Sequence, residues 1–231
     1  MSELNVTAAP RSKSHYDQKT WVALAMLTAV AYVVMLLSKM LPSVNGFLDF
    51  DFKDVVICIG GFIYGPLAAA LVSIVVAFIE MFTVSHTGPI GMLMNIIATC
   101  AFCCTATFVY KKRHTMKGAV AGLSCGVAAL VVVMLLWNYL VTPIYQGFPR
   151  EVIAAMLPTV FFPFNLVKGG MNMAATLLLY KPVVTALRKA GLVAPSKSGS
   201  QGRKLNPGFL LFSLALLATF VVCALVLQGI L

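Results

Sequence analysis

Seven apolar runs leave this chain few ways to fold: residues 21–41, 55–65, 66–82, 88–110, 118–141, 155–184 and 208–231. The runs are continuous and do not alternate, which excludes an outer-membrane barrel. Most are long enough to cross a hydrocarbon layer of roughly 30 Å as helices. The chain is 60% hydrophobic and only 10% charged over 231 residues, more apolar surface than a soluble domain of that size can hide. A helical bundle solvated by lipid can accommodate it, because each helix satisfies its own backbone groups. The predicted fold class is therefore an all-α polytopic membrane protein.

The domain plan follows from the runs and their separators. Residues 1–20 form a polar N-terminal segment that does not read as a cleaved signal, because the first apolar run is long enough to span and stay. Residues 21–187 hold six runs, and Gly65-Pro66 marks a tight break between the second and third. The second run is short and reads as a partly re-entrant or tilted helix. Residues 188–207 are a basic Ser/Gly-rich linker expected to be flexible. Beyond it, 208–231 is an additional transmembrane helix that looks like an appendage. No internal repeat is visible, which argues against an inverted-repeat transporter.

The formal charge of +10 invites a nucleic-acid reading, but the basic residues sit between the runs. With the N-terminus in the cytoplasm, the inner segments hold Arg11, Lys13, Lys19, Lys111, Lys112, Arg113, Lys117, Lys181, Arg188, Lys189, Lys197, Arg203 and Lys204. The outer loops then hold only Lys53 and Arg150. This bias reports topology, places the C-terminus outside, and makes lipid the partner in place of nucleic acid. The outer loops are acidic, with Asp49, Asp51, Asp54 and Glu151, and Glu80 lies near the outer end of the third run.

Lys168 is the polar residue that demands a function. It lies in an otherwise apolar stretch, and Asn165 shares its helical face. An ammonium at membrane depth costs several kcal/mol unless it reaches protein partners, water or a ligand. Asn138 on the fifth run and Gly91 and Asn95 on the fourth fall at a similar depth, below the loop 42–52. The inner halves of the same helices carry almost no such groups, so a pocket open to the outside and closed below is expected. Asn95 is open between an interhelical hydrogen bond and a ligand contact. Lys39 is expected to snorkel to the headgroups. Phe161, Phe162 and Phe164 read as packing or interface anchors.

Other patterns carry less. Ala25 and Ala29 form a small-x-x-x-small pair that lets another helix approach closely; Gly61 and Gly65 read as internal packing. The six cysteines read as small buried hydrophobes, and no metal is expected, since Cys100, Cys103 and Cys104 lack a fourth ligand within helical reach. The stretch 122–126, Gly-Leu-Ser-Cys-Gly, matches a nucleophile elbow, but it follows no strand and Ser124 has no base beside it. No phosphate-binding Gly-Lys-Ser/Thr motif is present, so the chain is not read as an enzyme.

Taken in order, several motifs resemble a known family. These are Phe47-Leu48-Asp49-Phe50-Asp51-Phe52 with Asp54, then Gly60-Gly61-Phe62-Ile63-Tyr64-Gly65-Pro66, and then Gly91-x-x-x-Asn95-x-x-Ala98. Trp137-Asn138-Tyr139 with Pro143-x-Tyr145 and Pro163-Phe164-Asn165-Leu166-Val167-Lys168-Gly169 complete the series. From about residue 21 to 187 the chain is similar to the substrate-binding S components of energy-coupling factor (ECF) vitamin transporters, and looks most like their riboflavin-specific branch. The resemblance implies a six-helix S-component bundle that captures riboflavin from outside and needs no other cofactor. It implies ligand contacts from Asn138, Asn165 and Lys168, with Phe47, Leu48, Asp49 and Phe50 in a lid. It implies that Ala25 and Ala29 meet a transmembrane coupling subunit, itself bound to two ATPase subunits, and that the component topples to release its vitamin inside. An S component for another vitamin, an intramembrane enzyme and a purely structural subunit are the alternatives. The extra span at 208–231 departs from the usual six, and Asp49 puts an acid in the lid.

Overall fold

The computed structural model describes residues 17–44, 46, 48–85, 87–113, 115–192 and 207–230. The N-terminal residues 1–16, most of the linker (193–206), Phe47 and all three histidines lie outside the described residues.

Among the described residues, eight helices follow in chain order: α1 (Gln18–Ser38), α2 (Lys53–Tyr64), α3 (Pro66–Thr83), α4 (Gly88–Lys112), α5 (Met116–Leu140), a short α6 (Thr142–Gln146), α7 (Arg150–Lys189) and α8 (Pro207–Leu227). All but α2 and α6 are long and apolar enough to cross a membrane, which makes this a multi-pass membrane protein. The helix starts have local causes. The Asp17 carboxylate accepts from the Gln18 N–H, and the Thr115 hydroxyl accepts from the Gly118 N–H. Gly65 takes a φ of +101°, open to glycine, and Pro66 then starts α3 without needing an N–H.

The short second run is a helix of 12 residues, too short to cross alone at about 1.5 Å per residue. Nine of its residues are buried, so protein and not lipid surrounds it. It packs against α1, α3 and α7, while α4 packs on α3 and α5, and α7 closes the bundle against α5. Gly61 touches α3 and α4, where an added Cβ would lie 3.1 Å from Ala69 and 2.5 Å from the Thr107 hydroxyl. That is internal packing, as the sequence indicates.

Gly122 and Gly126, the glycines of the elbow-like stretch, have a packing role. A Cβ on Gly122 would meet the Ala106 carbonyl at 2.5 Å, and one on Gly126 the Phe102 carbonyl at 2.6 Å. These glycines let α5 approach the α4 backbone closely. Ser124 lies between them with its hydroxyl 3.9 Å from the Met173 sulfur, and it does not line the cavity described below.

Two departures from α-geometry sit in α4 (Cys100–Cys104) and α7 (Leu157–Phe161), where the helix widens by one residue per turn. The second contains Pro158, which lacks the N–H a regular turn needs. It lies one turn before Asn165 and helps set the direction in which α7 presents Asn165 and Lys168.

The last helix is not an appendage. It packs along α7, with Phe220 over Gly170 so closely that an added Cβ would lie 2.2 Å from the ring. Its end reaches the loop after α1, where Gln228 Nε2 donates to the Pro42 carbonyl at 2.6 Å. The linker reading treated chain separation as spatial separation, and the complementary shapes of Gly170 and Phe220 override it.

Candidate ligand-binding site

A cavity of about 340 Å³ opens at the end of the bundle that carries the loop 42–52. Asn95, Asn138, Asn165, Lys168, Leu48 and Asp49 all line it, joined by apolar wall residues such as Met35, Phe50, Met94, Leu130, Met134 and Phe164. Its size and its mix of apolar walls with a few polar groups suit a drug-sized organic ligand. Gly91 does not line it, although its depth along α4 is right. Gly91 is buried against Thr87, whose hydroxyl would be 1.8 Å from an added Cβ, and Thr87 takes the wall position. Phe47 lies outside the described residues.

Beneath the cavity the bundle is filled. Ile57, Cys58, Phe62, Phe102 and Leu123 form the core, and the Phe62, Tyr110 and Tyr180 rings cluster below, with Tyr110 and Tyr180 hydroxyls 3.0 Å apart. The arrangement is a chamber closed on one side and not a pore.

The amide directions follow from what their neighbours can accept. Asn165 Nδ2 donates to the Phe161 carbonyl at 2.8 Å, and Asn138 Nδ2 to the Met134 carbonyl at 2.8 Å. Asn95 Nδ2 donates to Glu80 Oε2 at 3.1 Å. A carbonyl or carboxylate only accepts, so the amide nitrogens must face these partners. Asn138 Oδ1 is taken by the Thr142 hydroxyl at 2.9 Å. The side-chain oxygens of Asn95 and Asn165 are left to accept from a ligand. Asn95 thus makes the interhelical bond and also faces the cavity.

The charges around the chamber form a network that sequence reading missed. Lys53 reads from sequence as an outer-loop charge; it is the first residue of α2 and only 2% exposed. Its ammonium pairs with Asp51 and, at 3.2 Å, with Glu80 Oε2. Glu80, equally buried, receives Asn95 on the same oxygen and Lys39 at 3.4 Å on the other. Lys39 also reaches Asp49 at 3.1 Å. Lys39, expected from sequence to snorkel, is thus paired with two carboxylates of the protein itself. Burial alone would push the Asp51 carboxyl up, but the Lys53 ammonium beside it, aided by Lys168, holds it below the usual carboxylate range. Asn172 Nδ2 donates to the Asp51 carbonyl at 3.0 Å, and the Phe52 N–H to the Ser38 hydroxyl at 3.1 Å, so the end of the loop is tied to α7 and α1.

Lys168 differs from the other two lysines at this end. It is half-buried in the cavity wall and makes no ion pair or hydrogen bond with any described residue. The site thus presents one uncommitted ammonium and two uncommitted amide oxygens in an apolar chamber.

The partner-facing expectation falls elsewhere. Ala25 and Ala29 are exposed on α1, on a face shared with Val22, Met26, Val30 and Val33. That face does not line the cavity, to which α1 contributes only Met35 and Ser38, with Lys39 just after it.

A multi-span bundle with a blind chamber at one end is the build of a membrane-embedded binding subunit. Residues 19–180 match the family described as the ECF transporter, substrate-specific component, and the chain belongs to that family of transport subunits and not to an enzyme family. It is 33% identical over 184 residues to the riboflavin transporter FmnP of Bacillus subtilis (strain 168), covering 74% of this chain and 97% of that protein. It is 28% identical over 185 residues to the riboflavin transporter RibU of Staphylococcus aureus (strain TCH60), covering 78% of this chain and 97% of the relative. A solved structure titled "Structure and mechanism of the S component of a bacterial ECF transporter" superposes with a TM-score of 0.63 at 26% identity, covering 74% of this chain and 98% of that one.

The buried network yields a stability prediction. Lys53→Met strands buried charge on Asp51 and is expected to destabilise the protein by about 3–5 kcal/mol. Replacing the set together, with Asp51→Asn and Glu80→Gln, should recover most of that loss. Unfolding midpoints in detergent measure both; a single Lys53→Met variant as stable as the parent would contradict the assignment.

Proposed function

We propose that this chain is the riboflavin-binding subunit of an ECF-type importer. It captures the vitamin from outside and releases it inside when a transmembrane coupling subunit and two ATPase subunits act on it. The observation that carries this reading is the chamber itself, where Lys168, Asn165 and Asn95 offer free polar atoms among apolar walls. The names of the relatives point to the same ligand.

The chemistry fits. Riboflavin is neutral, with a flat apolar ring system, a polar imide edge and a hydroxylated tail. An imide edge offers an N–H between two carbonyls. The free oxygen of Asn165 would accept from the N–H while Lys168 donates to a neighbouring carbonyl. Lys39 and Lys53 are already matched to Asp49, Asp51 and Glu80, so the chamber lacks a large field of one sign. That balance favours a neutral ligand. The lid role belongs to the segment holding Leu48, Asp49 and Phe50; Lys39 would hold Asp49 to the body of the bundle.

The positive-inside bias supports an N-terminus in the cytoplasm and the chamber facing out. α8 runs back along α7 and ends beside Pro42, so the same orientation puts its end outside. The exposed α1 face with Ala25 and Ala29 suits a coupling helix, since small residues let backbones approach.

Titrating purified protein with riboflavin should quench the flavin fluorescence to a saturable end point. Asn165→Ala is expected to weaken binding by about 1–3 kcal/mol, because a buried polar group of the ligand loses its partner. Unchanged affinity would remove Asn165 from the site. Ala25→Trp should spare binding and abolish uptake in cells carrying the coupling partners; normal uptake would return that face of α1 to lipid.

A further inference from the structure

The family match ends at residue 180, so α8 lies beyond it. Nothing in the proposed function requires this helix. It is also the least buried of the six long spans, as a simple lipid anchor would be. Yet its C-terminal half packs on a cluster that reaches the cavity wall.

Val44, Phe50, Phe164, Val167 and Met171 form a small apolar cluster, and Ala224 of α8 is buried in it. Phe220 and Leu227 of α8 pack on the same cluster, as do Leu48 and Phe52 of the loop. Three of these residues, Leu48, Phe50 and Phe164, also line the cavity. The cluster therefore joins residues that face ligand space to residues of α8. Phe50 and Phe164 hold their rings 5.1 Å apart within it. The loop is pinned by its own two bonds, Val44 N–H to the Leu48 carbonyl at 2.8 Å and the reverse at 3.1 Å. At its start, Gln228 Nε2 donates to the Pro42 carbonyl at 2.6 Å. Close approach of α8 to α7 is secured lower down by Phe220 over Gly170.

We infer that α8 is a strap on the binding chamber, with Gln228, Phe220 and Ala224 as positioning residues that hold Val44, Leu48 and Phe50 against α7 and slow ligand exchange. The inference rests on the reading of the cavity as a riboflavin site for its kinetic consequence, but not for the strap itself. An apolar backing that touches no ligand atom changes how readily the wall yields. It does not change which polar groups meet the ligand, so dissociation should respond more than association.

The test uses the full chain with Gln228→Leu, which removes the tie, and Phe220→Ala, which thins the backing. Stopped-flow fluorescence with riboflavin is expected to show faster dissociation in both variants, about two- to tenfold for Gln228→Leu, the worth of one such hydrogen bond, with association nearly unchanged. In the ligand-free protein, hydrogen exchange of the Val44 and Leu48 amides should accelerate in both variants, while peptides from α5 stay as in the parent. Exchange at Val44 and Leu48 that matches the parent in both variants would overturn the strap and leave α8 a lipid anchor, whether or not riboflavin binds. Faster exchange in a protein that binds no riboflavin would support the strap and fail the ligand assignment instead.

Discussion

Glu80 is the constraint from which the rest of this end of the molecule follows. A carboxylate that is 2% exposed must be answered by charge or hydrogen bonds, because uncompensated charge in a low-dielectric interior costs several kcal/mol. Three side chains from three other segments answer it: Lys39 after α1, Lys53 on α2 and Asn95 on α4. Meeting them fixes the distance between four helices and leaves the apolar space above as a chamber. Because Lys53 also holds Asp51, and Lys39 also holds Asp49, the same node sets both ends of the cavity-lining stretch 49–51. Lys168 acts on Asp51 through its charge but makes no ion pair with any described residue of this network.

Much of this was legible in the sequence. The apolar runs gave every long helix to within a few residues, since their length and composition are what lipid selects. Lys168, Asn165, Asn138 and Asn95 could be grouped because topology alone assigns depth along each helix. Depth does not assign azimuth, and so Gly91 was grouped with them although its side faces Thr87. Lys39 and Lys53 were misread for a related reason. Counting charges near helix ends treats each as solvated, whereas their partner Glu80 lies 27 residues or more away in the chain and shares no local pattern with either. The packing of α8 was hidden similarly, because a bare glycine at 170 and a ring at 220 become complementary only when the helices lie side by side.

The site and the fold divide the work of an importing subunit. The filled core and the Phe62–Tyr110–Tyr180 cluster block a path through the bundle, so a ligand taken into the chamber leaves by the face it entered unless the whole subunit changes its position in the membrane. A rigid body held by buried ion pairs suits movement as a unit. In the proposed function, the exposed α1 face, which does not line the chamber, would let a driving partner act without touching the ligand.

The position of the bound ligand decides whether this chamber is the binding site. A structure of the full chain loaded with riboflavin tests this most directly. The ring system is expected inside the chamber, with Lys168 Nζ and the Asn165 side-chain oxygen each within hydrogen-bond distance of its polar edge. Riboflavin bound at another surface, or a chamber collapsed with Lys168 paired to Asp51, would contradict it.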